Sequence, residues 1–233
     1  MKILIIGFQR SGTTLMRRII DGHPEVKKIF HENFLLRKYQ TKEALMMAIE
    51  RTRFDPINDN WGEKTPFYPT IRRIPVLKYC NTWNEYFGDE SRILHIVRHP
   101  VDVASSILKK RKRGIIGSLN LYCNNMVTII PGVKKIKNTF TFKYEDMLLN
   151  PDEILPNIFE FCGLRSDINF RQYLKKIKKT KYQTLDASRV FAYKNKNVII
   201  KQDLREVIKI ANKIDGPKYL EGVRDNKNGC DYV

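Results

Sequence analysis

Apolar residues fall into short runs and helical stripes that alternate along the chain. Lys2–Ile6 is an apolar run ended by Gly7, which predicts a parallel strand buried on both faces. From Thr13 to Asp21 the residues Leu15, Met16, Ile19 and Ile20 recur at helical spacing, and Gly22-His23-Pro24 ends that pattern. Phe34–Arg53 reads as helical, through Ala44, Leu45, Ala48 and Ile49. Asp55–Pro69 reads as turn-rich and contains Trp61-Gly62-Glu63-Lys64-Thr65-Pro66. Ile71–Phe87 is helical in parts, with an interruption at Pro75. Arg92–Val97 is a second buried strand, closed by Arg98-His99-Pro100, and a helix follows over Val101–Arg113. Thr139–Lys143 alternates as a short strand, and Pro151–Cys162 reads as a helix stopped by Gly163. Beyond Leu164 only Gln202–Lys213 reads as a helix. Strands alternating with helices predict a three-layer α/β/α architecture around a central parallel sheet, with residues 1–233 as a single domain. Ligands bind such sheets at the carboxyl ends of the strands, where Gly7–Thr14 and Arg98–Ser106 both fall.

Composition narrows the partners. The chain has 233 residues, 43 Lys+Arg against 25 Asp+Glu, and a formal charge of +18. The excess is spread along the whole length rather than gathered in a tail. Such a field implies a polyanionic partner: nucleic acid, an acidic membrane, or a heavily phosphorylated or sulfated small molecule. An apolar share of 42% is too high for a disordered chain. No run of about 18 apolar residues predicts a membrane span. The short apolar start lacks the roughly 7–15 residues of a signal peptide, so a cytoplasmic location is expected. Cys80, Cys123, Cys162 and Cys230 are scattered without a C-x-x-C pair, which points to neither a zinc site nor a disulfide framework.

Two segments carry candidate chemistry. Gly7-Phe8-Gln9-Arg10-Ser11-Gly12-Thr13-Thr14 follows a strand and opens a helix, so its backbone N–H groups and the helix dipole form an anion cradle. Thr13 stands where the nucleotide-hydrolysing P-loop has its lysine, which argues against ATP or GTP hydrolysis. Arg98 ends a strand, and Ser106 lies in the second turn of the next helix. A guanidinium fork with a hydroxyl suits a phosphate monoester. The alternative is that Arg98 pairs with Asp102 and Ser106 is an ordinary helix residue.

Phe8-Gln9-Arg10-Ser11-Gly12-Thr13-Thr14-Leu15 resembles the 5′-phosphosulfate-binding loop of sulfotransferases. Ile96-Val97-Arg98-His99-Pro100-Val101-Asp102-Val103-Ala104-Ser105-Ser106 resembles their 3′-phosphate motif. Tyr144-Glu145-Asp146-Met147, Pro151 and Phe159-Glu160-Phe161-Cys162-Gly163-Leu164 resemble a later family signature. The similarity runs from Lys2 to Leu164. It implies a P-loop-like sulfotransferase fold that uses 3′-phosphoadenosine 5′-phosphosulfate (PAPS) as donor, releases adenosine 3′,5′-bisphosphate (PAP) and requires no metal. Arg10–Arg17, Asp21–Glu25 and Lys64-Thr65-Pro66 look nearest to the tyrosylprotein and related bacterial branch, which has a glutamate base and a lysine before a proline.

The resemblance therefore implies that Gln9, Arg10, Ser11, Gly12, Thr13 and Thr14 hold the 5′-phosphosulfate. Arg98 and Ser106 would hold the 3′-phosphate, and Tyr144 would also lie at the cofactor. Glu32 would be the general base, with Arg10 and Lys64 neutralising charge on the transferring group. His31 competes with Glu32, since cytosolic members use histidine, and Lys64 could instead pair with Glu63 on a loop. Ser188, Arg189, Lys194 and Lys196 are substitutes for a 3′-phosphate loop that has no clear match. The acceptor stays open between carbohydrate, peptide tyrosine and small alcohol, and the surplus positive charge raises the question of an acidic one. A homodimer also stays open. The competing readings are a P-loop nucleotide kinase or NTPase and a basic nucleic-acid-binding module. No stacking platform of aromatic and basic residues supports the latter.

Overall fold

A computed structural model describes residues 1–67, 75–108, 122, 125–126 and 129–167. Five strands form one sheet: β1 (Lys2–Phe8), β2 (Val26–His31), β3 (Asn60–Phe67), β4 (Ser91–Val97) and β5 (Thr139–Lys143). Their order is β2-β3-β1-β4-β5, and every pairing is parallel. The helices are α1 (Thr13–Asp21), α2 (Leu35–Lys38), α3 (Lys42–Glu50), α4 (Val76–Phe87), α5 (Pro100–Leu108), α6 (Tyr144–Leu149) and α7 (Pro151–Phe161).

The apolar run of β1 occupies the middle of the sheet, with all seven residues buried. Its side chains alternate between two cores, as strand geometry requires. Ile3 and Ile5 join Leu15, Met16 and Ile19 of α1, Leu94 and Ile96 of β4, and Leu155, Ile158 and Phe159 of α7. Leu4, Ile6 and Phe8 face the other way, toward Leu45 of α3, Trp83 of α4 and Val103, Ala104 and Ile107 of α5. Helices thus cover both faces of the parallel sheet, in the three layers expected. Among the described residues, no helix is long and apolar enough to cross a membrane.

Two expectations need correction. Phe34–Arg53 is two helices, because the chain is extended at Tyr39 and restarts at Thr41, whose hydroxyl accepts from Ala44 N at 3.2 Å. The stretch Asp55–Pro69 is turn-rich only at its start, and Asn60–Phe67 is an interior strand. Glycine, proline and two charged residues disguised it. Gly62 is required there, since a Cβ would overlap the Ile3 backbone of the neighbouring strand. β2 has no alternating signature in the sequence, because a register shift between Val26 and Lys28 interrupts its pairing with β3. Cys80 and Cys162 are buried free thiols, as expected of core residues. Cys123, Cys230, the expected helix's last residues Lys109–Arg113 and Gln202–Lys213 lie outside the described residues.

Candidate active site

The anion cradle is built where β1 ends. Ser11 donates to the Phe8 carbonyl twice, through its N–H at 3.0 Å and its hydroxyl at 2.6 Å, which folds the loop back over the strand. Gly7 permits this, because a Cβ there would lie 2.6 Å from Ser11 Oγ and 2.8 Å from the Ile96 carbonyl. Arg10 (φ 72°) and Gly12 (φ 100°) adopt positive φ, and α1 starts at Thr13. The first N–H groups of a helix have no intrahelical acceptor, so Thr13 and Thr14 complete a concave donor array. Gln9 is buried, its N–H donates to the Phe67 carbonyl at 3.3 Å, and its Nε2 has no hydrogen-bond partner among the described residues.

The second segment closes on the first. Arg98, at the end of β4, donates to the Arg10 carbonyl at 3.1 Å. Arg10 in turn donates through Nε to Ser106 Oγ at 2.8 Å. Ser106 therefore faces the loop arginine, and the two expected anion sites form one connected unit. Tyr144, the first residue of α6, lies under the guanidinium of Arg98, with the centroid 4.3 Å from Cζ. The same ring leaves no space for a Cβ on Gly12. The pairing of Arg98 with Asp102 does occur, at 3.7 Å. That is longer than a charge-assisted hydrogen bond of about 2.7–2.9 Å, so the ring and the Arg10 carbonyl orient the fork.

A third cluster lies at the β2–β3 edge. Lys64 Nζ donates to Glu32 Oε1 at 2.5 Å and is 3.4 Å from His31 Nε2. Lys64 is on a strand, and its side chain points to the α1 face, whereas Glu63 points to the other. The loop pairing of Lys64 with Glu63 is therefore corrected to Lys64 with Glu32. Burial pushes the Lys64 ammonium below its ordinary value, opposed by the hydrogen bond and charge of Glu32. Burial and the Lys64 charge both lower His31, which favours the neutral imidazole near pH 7.

Three supporting contacts carried no sequence signal for this role. Tyr122 donates to the Arg98 carbonyl at 2.6 Å and stacks edge-on with Phe8, with centroids 4.9 Å apart. Glu145 accepts from His99 N at 2.9 Å and so ties α6 to the turn after β4. Burial raises the Glu145 carboxyl, and that hydrogen bond partly offsets the rise. The third contact is the buried Glu63, described below. Ser188, Arg189, Lys194 and Lys196 lie outside the described residues. Among the described residues, no group of three or more His, Cys, Asp or Glu side chains is placed to hold a metal.

Solved structures share this architecture. The chain is similar in fold to the sulfotransferase domain of the Synechococcus PCC 7002 olefin synthase (TM-score 0.64, 18% identity, 89% of this chain and 92% of that one). It is also similar to the sulfotransferase domain of the curacin biosynthetic pathway (TM-score 0.64, 15% identity, 91% and 96% covered). A mouse sulfotransferase complexed with PAP matches at TM-score 0.60 and 14% identity, over 91% of this chain and 83% of that one. No curated protein matches in sequence. The family model of the sulfotransferase domain covers residues 1–209, which include the cradle, Arg98, Ser106 and the Glu32–Lys64 pair, and the chain belongs to the sulfotransferase family.

Proposed function

We propose that this protein transfers a sulfuryl group from PAPS to a hydroxyl or amine acceptor, with Glu32 as general base. The observation that carries the reading is the joining of Arg10, Ser106 and Arg98 by hydrogen bonds, with the Tyr144 ring beneath the Arg98 guanidinium, at the carboxyl end of the sheet.

These residues fit such a donor. The N–H groups of Thr13 and Thr14 at the start of α1 suit a phosphosulfate anhydride, and the buried Gln9 amide adds a further unpartnered N–H donor among the described residues. Two guanidinium groups and a hydroxyl beside it suit a phosphate monoester, which ATP and ADP lack at the 3′ position. When bound, PAPS would supply a sulfuryl group already activated by its phosphate leaving group. The residues of this chain do the rest. Arg10–Thr14 bind the 5′ end, and Arg98 and Ser106 select the 3′-phosphate. Arg10 and Lys64 offset negative charge that builds up on oxygen during transfer. Glu32 Oε accepts the acceptor proton, while Lys64 orients that carboxylate, as its 2.5 Å contact supports. His31 is the second reading for the base. Burial and Lys64 keep it neutral, but it is half exposed and 3.9 Å from Glu32.

The acceptor class proposed is a carbohydrate, a peptide tyrosine or a small alcohol. Thermal melting with PAP, ADP and ATP compared tests the donor assignment, because a ligand that binds only the folded state raises the midpoint. PAP should give the largest shift. Equal shifts for PAP and ADP would remove Arg98 and Ser106 from the 3′-phosphate.

A further inference from the structure

The segment that follows β2 is held in an unusual way. Glu32 (φ 54°) and Phe34 (φ 51°) both have positive φ, which non-glycine residues adopt only where their surroundings hold them. Two adjacent residues of β3 provide that hold from opposite faces of the sheet. In the plane of the sheet the Lys64 carbonyl accepts from Glu32 N at 2.9 Å, and on the α1 face Lys64 Nζ donates to the Glu32 carboxylate. On the other face, Glu63 accepts from Leu35 N through Oε2 at 3.0 Å and Oε1 at 3.2 Å. Tyr79 of α4 donates to Glu63 Oε2 at 2.6 Å, and its oxygen accepts from Leu36 N at 3.2 Å. Glu63 is fully buried, and its immediate partner Tyr79 is nearly so.

We propose that Glu63, braced by Tyr79, is the positioning residue for the Glu32 turn. It anchors the start of α2 so that the chain crosses the edge of the sheet in the one conformation that seats the Glu32 carboxylate on Lys64. A hydrophobic residue at position 63 would fill the same space but could not accept from Leu35 N. A buried carboxylate is costly and survives where its hydrogen bonds are needed. The catalytic consequence rests on Glu32 being the base. The anchoring itself does not.

The deciding measurement, the His31 titration, needs no substrate. His31 faces Lys64 and Glu32 on the strand edge, with Arg17 of α1 as the further charge near it. The Glu32 carboxylate raises its proton affinity and Lys64 lowers it. In Glu63→Gln and in Tyr79→Phe, the His31 NMR titration midpoint should move away from its wild-type value as Glu32 leaves Lys64. His95, buried at β4 and far from the turn, should remain neutral in all three proteins. A purely structural role would lower the melting temperature and leave the His31 midpoint of the folded protein where it was. An unmoved midpoint in Tyr79→Phe overturns the proposal, even if Glu63→Gln fails to fold. Turnover of an acidic tyrosyl peptide separates this proposal from the function beneath it. Full turnover by Glu32→Gln would refute the base and leave the anchor standing. Loss of turnover by Glu32→Gln with full turnover by Tyr79→Phe would refute the positioning of the base. The expected result for Tyr79→Phe is a kcat lower by up to about 10²-fold, as for a displacement of about 1 Å, with the PAP melting shift unchanged.

Discussion

Gly12→Ala perturbs the cradle at its narrowest point. Gly12 has φ 100°, where an L-residue carries strain of about 1–3 kcal/mol. Its new Cβ would also overlap the Tyr144 ring, and that ring is only 3% exposed. Tyr144 cannot swing freely into solvent, so relief requires repacking of the kind that costs about 1–3 kcal/mol. The sum is roughly 2–6 kcal/mol, a large part of an ordinary stability of about 5–15 kcal/mol. At about 2–4 °C per kcal/mol for a chain of this size, the melting temperature should fall by roughly 4–24 °C. Gly88→Ala provides the control. Gly88 also has positive φ (52°), but nothing lies within 4 Å of its Cβ position, so only the strain remains. Differential scanning fluorimetry of both variants, with and without PAP, reads the difference. Gly12→Ala should lose more stability and should lose the PAP shift as well, because moving Tyr144 releases Arg98. A melting temperature no lower than that of Gly88→Ala, together with a full PAP shift, would refute both the contact and its place in binding.

Glu32→Gln should keep the PAP melting shift and lose about 10²–10⁴-fold in turnover, measured by PAP release with an acidic tyrosyl peptide. Unchanged turnover moves the base to His31. Glu63 makes stability depend on pH, because burial pushes its carboxyl up from 4.5 to about 7. The folded state binds the proton more tightly, so the contribution is complete below about pH 4.5 and is lost as pH rises through about 7. Urea titrations at pH 5 and pH 8 should therefore show wild type losing up to about 3 kcal/mol relative to Glu63→Gln across that window. A constant difference between the two proteins would contradict the burial cost.

The parts of the fold that could be read from sequence are those where one residue pattern has one cause. β1 and the core of β4 are apolar because both faces are covered, and the glycines at positions 7 and 12 mark a backbone that must turn sharply. α1, β5 and the stop at Gly163 (φ 65°) follow the same local rules. β3 could not be read this way, because its residues answer to different neighbours. Gly62 serves a close approach to Ile3, Glu63 serves α2, and Lys64 serves Glu32. The site was legible to a similar degree. The cradle and the Arg98–Ser106 segment stand out by spacing, but the Arg10–Ser106 bond and the support of Tyr144 beneath Arg98 and Gly12 depend on segments brought together from three strands. No local pattern encodes such contacts.

The central place of β1 has a consequence for synthesis. Its partners in the sheet begin at Trp61 and Ser91, so the strand Lys-Ile-Leu-Ile-Ile precedes both of its neighbours by tens of residues. Pairings this distant in sequence close late and slow the folding of parallel sheets. Until β3 and β4 arrive, a nascent chain carries an uncovered run of four apolar residues, Ile3–Ile6, that is prone to associate with its like. The strand that later carries the phosphate cradle is thus synthesised before either of the strands that cover its two edges.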